Sequence, residues 1–271
     1  MSLTGRVGSL ESRWIEVDGL RIHFRASTDP AVPPARVPVV LVHGLGLSGT
    51  YMIPVAERLA PDFRVFAPDL PGFGDSDKPR EVFDLPGLAD WLAKWLRAAG
   101  LPPAALLGNS QGCQIIVDLA ARHPELVERA ILQGPTAPPE ERTWFRQFIR
   151  WRQNQPYNPQ SLSPVTWADY KKAGVRRLFH TFRYQLKDPI EQKLPHIHAP
   201  TLVVRGQLDP ICRLDWAEEV TRRLPDGRLV EIPKVSHTLC WTSPVELAGV
   251  SRPFLAEATP LADEPQRRCP L

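Results

Sequence analysis

The sequence predicts an α/β protein, a mostly parallel sheet covered by helices on both faces and interrupted by one helical insertion. Three observations predict it. Apolar runs such as Val37–Val42, Ala104–Leu107 and Leu202–Val204 lack the alternation of a half-exposed strand. Segments of helical period separate these runs, and one long stretch holds no strand-like run at all. Continuous apolar strands joined through helices belong to sheets buried on both faces, and 271 residues suit one such domain with an insertion.

Taken in order, Trp14–Val17 and Leu20–Phe24 are β-rich runs around Asp18-Gly19, a dipeptide that favours a tight hairpin, so they are expected to form an antiparallel edge. The Val37–Val42 strand precedes a helix near Tyr51–Leu59, a strand at Val65–Ala67 and a helix opened by Asp84 that spans Trp91, Leu92 and Trp95. Ala104–Leu107 leads into a helix through Ile115, Ile116, Leu119 and Ala120 that stops before Pro124. Further strands are expected at Ala130–Leu132, Leu202–Val204 and Leu229–Ile232, and a last helix at Pro244–Leu255. Pro135 to Pro200 carries proline clusters and aromatic, helix-like stretches, the pattern of an insertion above the carboxyl ends of the strands. The expected division is a core of residues 1–134 and 201–258, an insertion at 135–200, and a loose, proline-rich tail at 259–271.

Composition excludes several classes. The chain is 43% hydrophobic and 23% charged, the balance of a globular protein with a sizeable core. A net charge of +3 without a Lys/Arg-rich run does not fit a nucleic-acid partner. The first residues show no apolar leader, and no stretch approaches the roughly 20 apolar residues of a membrane span, so neither a secretory signal nor a membrane partner is expected. Cys113, Cys212, Cys240 and Cys269 lack the close spacing of a zinc site, and a chain of this length does not depend on disulfides. A reduced, cytoplasmic setting with no metal follows as the expectation.

Gly108-Asn109-Ser110-Gln111-Gly112 fits G-x-S-x-G between a buried strand and a helix, the context that gives the motif its chemistry. A serine on that turn exposes its hydroxyl, and the helix start favours negative charge beside it. The hydroxyl is a poor nucleophile at neutral pH and needs a base that a third group orients. Asp209 in RGQLDP follows a strand and comes before His237 in PKVSHT, which also follows a strand, so both are expected on the face that holds Ser110. Asp215, Glu218 and Glu219 fall in the next helix. His23, His43, His123, His180, His196 and His198 have the wrong order or the wrong end of the sheet. The oxyanion of an acyl-transfer intermediate needs backbone amides, here from Gln111 and the His43-Gly44-Leu45-Gly46 turn.

HGLG, DLPGFGDSDKP at Asp69–Pro79, GNSQG, RGQLDP and SHT stand in the order and spacing of the α/β-hydrolase superfamily, which the chain resembles from Trp14 to Leu255. The resemblance implies the α/β-hydrolase fold with a mostly parallel sheet of the eight-stranded type, a helical cap at 135–200, no cofactor, and oxyanion amides from Leu45 and Gln111. Asp69 is expected to brace its own loop. Relatives that open epoxides or remove halides carry an aspartate where this chain has Ser110, which disfavours both activities. Asn109 matches the C–C bond hydrolases of aromatic breakdown, but those usually place tryptophan where this chain has Thr238. In the insertion, Trp144, Phe148 and Trp151 recur at helical spacing and either roof an apolar pocket or pack the insertion onto the sheet. The expected activity is hydrolysis of small or medium apolar or aromatic esters through an acyl-enzyme on Ser110. C–C or lactone hydrolysis by the same three residues, and a non-catalytic binding protein, are the alternatives.

Overall fold

A computed structural model describes residues 8–27, 32 and 36–257; the proposed tail at 259–271, with Cys269, lies outside them. The chain runs β1 (Leu10–Val17), β2 (Leu20–Ser27), β3 (Val39–Val42), α1 (Gly49–Leu59), β4 (Val65–Pro68), α2 (Leu85–Ala98), β5 (Ala104–Asn109), α3 (Gln111–Arg122) and β6 (Val127–Gln133). Four helices follow, α4 (Trp144–Asn154), α5 (Leu162–Ala173), α6 (Val175–Lys187) and α7 (Ile190–Lys193). The chain then returns through β7 (Thr201–Gly206), α8 (Leu214–Arg223), β8 (Gly227–Ile232), α9 (Leu239–Thr242) and α10 (Pro244–Ala256).

The eight strands form one sheet in the order β1-β2-β4-β3-β5-β6-β7-β8, antiparallel at β1, β2 and β4 and parallel from β4 onward. Asp18 and Gly19 both take positive φ, as a two-residue hairpin turn requires. Strand residues alternate between two cores. Val40, Val42, Leu106 and Leu132 pack with Leu92, Trp95, Ile116 and Val220 of α2, α3 and α8. Val39, Leu41, Leu107 and Val204 pack with Met52, Leu59, Leu247 and Phe254 of α1 and α10. The strands are apolar throughout because both faces are covered.

Differences from the sequence expectation are small and physical. β3 begins at Val39 because Pro38 has no N–H for the ladder. β1 begins at Leu10, where the polar Glu11–Arg13 gains order from pairing with β2. Residues 135–200 hold helices and no strand, and among the described residues no helix is long and apolar enough to cross a membrane. Parallel pairing aligns the strand ends, Val42 beside Gly108, Asn109 beside Gln133, Gln133 beside Val204 and Gly206 beside Ile232. The loops carrying Leu45, Ser110, Asp209 and His237 therefore meet at one edge.

Candidate active site

Ser110 stands between β5 and α3 with φ 55°, a conformation that non-glycine residues rarely adopt. The glycines beside it are sterically required. A Cβ on Gly108 would lie 2.7 Å from the Gly112 carbonyl carbon, and one on Gly112 would run into the Val42 carbonyl oxygen. The first amides of α3 have no intrahelical acceptor and point toward the turn, so negative charge at Ser110 is favoured.

Asp209 and His237 form a buried pair, with Nδ1 of the histidine 2.7 Å from Oδ2 of the aspartate. The other aspartate oxygen, Oδ1, accepts the amides of Ile211 at 2.8 Å and Cys212 at 2.9 Å. A carboxylate only accepts, so Nδ1 is the donor of this pair. Nε2 is buried without a hydrogen-bond partner. The pair fits closely against Gly134, where φ is +60° and a Cβ would lie 2.9 Å from the imidazole.

Ser110 and His237 line the same cavity, about 730 Å³ in volume, whose floor includes Gly44 and Leu45. Its roof comes from the insertion and includes Trp144, Phe148, Trp151 and Phe179. Trp144 stacks on Phe179 and meets Phe182 edge-on, with ring centroids 5.0 and 4.6 Å apart. The structure thus brings Leu45, Ser110, His237, Trp144, Phe148 and Trp151 to one cavity and sets Asp209 directly behind His237. The Gln111 side chain turns away to α6, donating to the Thr181 carbonyl at 3.2 Å, which leaves its backbone beside Ser110.

Four amide side chains support His237, and three of them carry no sequence motif. Asn154, at the end of α4, accepts from the His237 N–H at 3.2 Å and from the Ser236 hydroxyl. Asn158 accepts from the Thr238 hydroxyl at 2.9 Å, so three consecutive residues of the histidine loop hang from the insertion. From the sheet side, Gln133 donates to the His237 carbonyl at 3.0 Å and accepts from Asn109 at 2.6 Å. Asn109, noted in the motif, thus braces the histidine through Gln133.

His43, His23 and Asp69 have structural partners. Burial pushes the His43 pKa down, so its ring is neutral; it donates to the Gly44 carbonyl and accepts from the Leu70 amide, which shapes the glycine turn. Asp69 accepts from the amides of Gly49 at 2.7 Å and Asp75 at 2.8 Å and lies 2.9 Å from His23 Nδ1. It thus braces its loop, as expected, and ties it to β2 and α1. His23, Asp69 and Asp75 are also the described group with metal-like spacing, yet His23 Nδ1 and the Asp75 amide both converge on Asp69 Oδ2. Cys113, Cys212 and Cys240 are buried free thiols.

The model of the alpha/beta hydrolase fold matches residues 37–163, and that of TAP-like proteins matches 180–248. The chain belongs to the α/β-hydrolase superfamily. Among curated proteins, an uncharacterised protein of Mycobacterium tuberculosis is 35% identical over 117 residues, 43% of this chain and 32% of its own, so the match spans about a third of that relative. A poly(3-hydroxyalkanoate) depolymerase of Ectopseudomonas oleovorans is 24% identical over 90% of this chain and 92% of its own. Among solved structures, a membrane phospholipase A described as a bacterial virulence factor superposes with a TM-score of 0.76 at 26% identity, covering 92% of this chain and 86% of its own.

Proposed function

We propose that this chain is a serine hydrolase that cleaves carboxylic esters of small or medium apolar acyl or aromatic substrates. The observation that carries the reading is that His237, whose Nδ1 is held by Asp209 and whose Nε2 has no hydrogen-bond partner, lines the same cavity as Ser110. Ser110 Oγ attacks the ester carbonyl as its proton passes to Nε2. The amides of Leu45 and Gln111 hold the resulting oxyanion, and His237 returns the proton to the departing alkoxide. Water activated by the same nitrogen then releases the acid from Ser110. Asp209 keeps the proton on Nδ1 and stabilises the imidazolium, and the strained backbone of Ser110 keeps its hydroxyl forward. Residues 135–200 act in this reading as a cap, and the mechanism uses no metal or cofactor. Ser110 and Nε2 are not hydrogen-bonded to each other, a bond that in such enzymes often tightens only with substrate.

A fluorophosphonate reagent is expected to add once, on Ser110, and a p-nitrophenyl ester series to turn over with a dependence on acyl length. Ser110→Ala should lose the label and about 10⁴–10⁶ in turnover, and Asp209→Asn about 10⁴. Labelling elsewhere, or wild-type turnover in Ser110→Ala, overturns the assignment. Labelling of Ser110 without turnover of any ester moves the substrate to a C–C or lactone bond.

A further inference from the structure

The insertion differs from the rest of the molecule in both apolarity and charge. Among the described residues, thirteen large hydrophobic side chains are exposed, and nine of them lie on the insertion. Residues 135–200 carry eleven Lys and Arg against five Asp and Glu, so they are +6, while the remaining chain, with 22 against 25, is −3. Single exposed apolar residues are ordinary, but a contiguous patch of them marks an interaction surface.

Helix geometry sorts these residues onto one face. With about 3.6 residues per turn, the buried Gln147 and Asn154 of α4 place Phe145, Ile149 and Arg152 on the opposite side. On α6 the buried Arg177, Thr181 and Gln185 place Arg176, Phe179, Arg183 and Lys187 outward. The Trp144–Phe179 stack joins the two helices. Phe145 is 72% exposed, on the side of α4 away from the sheet. The insertion's acids are largely engaged nearby, Glu141 with Arg150, Glu191 with Arg142 and Asp188 with Lys193. Among the described residues Arg152, Arg183 and Lys187 have no ion pair, so their charge is available to a partner.

We infer that the outer face of α4 and α6 docks on an anionic lipid surface, with Phe145, Ile149 and Phe179 entering the headgroup layer and Arg152, Arg183 and Lys187 set against the lipid charges. Charge decides the occupant. A second copy would set one cationic face against another, whereas an anionic surface satisfies both the cations and the aromatics. The cavity lies close by, because Trp144, Phe148, Trp151 and Phe179 line it and are also exposed. The expectation of no membrane partner rests on the absence of a span, and a helix face lying on a surface needs none. The inference is independent of the reaction proposed above.

The test is co-sedimentation of the full chain with vesicles of phosphatidylcholine alone and of phosphatidylcholine with about one-third phosphatidylglycerol, at low and raised salt. Binding to the anionic vesicles that weakens with salt, and little binding to the neutral ones, is expected. Arg183→Gln and Lys187→Gln should each lower the partition coefficient roughly fivefold, and Phe145→Ser should lower it as well. Val245→Ser, an exposed position on α10, should match the wild type. Equal binding to both vesicles, no binding to either, or wild-type binding by Arg183→Gln and Lys187→Gln overturns the inference. A dimer in vesicle-free solution that Phe145→Ser dissociates assigns the face to a second copy and also overturns it. Unchanged denaturation midpoints show that the variants are folded.

Discussion

The two walls of the cavity are built on different principles. The floor is over-determined: Ser110 is held at φ 55° by glycines that cannot be replaced, and His237 is fixed by Asp209, Gln133 and Asn154. The roof carries rings that stack in pairs, with Trp144, Phe148 and Trp151 between 43% and 57% exposed. A rigid wall controls whether a reaction runs, and an adaptable one controls what reacts. Changes in the floor should therefore alter turnover, and changes in the roof should alter choice of substrate.

Asn154 is the place to break this comparison, because it belongs to the roof helix and holds the floor histidine. Asn154→Ala leaves the His237 N–H and the Ser236 hydroxyl without this buried acceptor, a loss of about 1–3 kcal/mol if nothing replaces it. The loop should shift, and a misplacement near 1 Å costs roughly a hundredfold. The expected result is a ten- to hundredfold fall in kcat with KM little changed, partly restored by Asn154→Asp, which keeps the acceptor. Wild-type kcat in Asn154→Ala would mean that the insertion does not set the histidine.

The rings give the next largest effect. A residue that packed the insertion onto the sheet would cost about 3–5 kcal/mol of stability on truncation, but side chains this exposed have little packing to lose. Trp144→Ala, Phe148→Ala and Trp151→Ala should keep stability within about 1 kcal/mol and shift the ratio of kcat/KM between short and long acyl esters by roughly 10- to 100-fold. Denaturation midpoints and chain-length profiles measured together decide the matter. An unchanged profile in all three would remove them as substrate contacts and leave the floor untouched.

The same contrast explains what the sequence reveals. The turn at Ser110 needs glycine at fixed offsets, because the backbone leaves no room for a Cβ, and so its geometry is written in adjacent letters. Asp209 and His237 are readable because parallel strands end at one edge, so order along the chain becomes position in space. Asn154, Asn158 and Gln133 are not readable. Their role depends on how the insertion settles over the sheet, 83 residues separate Asn154 from His237, and an amide side chain has no local pattern that announces such a bond. The aromatics of α4 are visible as a helical stripe, but only the fold shows that the stripe looks into a cavity and out to solvent rather than into the core.

The smallest effect concerns Asp169, the carboxylate of α5 that ties the roof to the floor by accepting from the Ser48 hydroxyl at 2.8 Å. Burial pushes its pKa up from 3.8 to about 6; the carboxylates of Asp69 and Asp75 add to the rise, while the Ser48 bond and Lys172 oppose it. An acid with a raised pKa in the folded state destabilises that state when ionised. Between about pH 4 and 6 the native chain keeps a proton that the unfolded chain has released, so stability falls as pH rises through that window. Above it the penalty is complete and amounts to at most about 3 kcal/mol. An amide in place of this carboxylate would still accept the Ser48 bond but could not ionise. The Asp169→Asn variant should therefore match the wild type near pH 4 and exceed its stability above pH 6, by about 1–3 kcal/mol. Subtracting the two denaturation curves across pH cancels every other titrating group that the substitution leaves alone. A difference that does not change with pH would show that the bond to Ser48, and not the buried charge, decides how Asp169 joins the two walls.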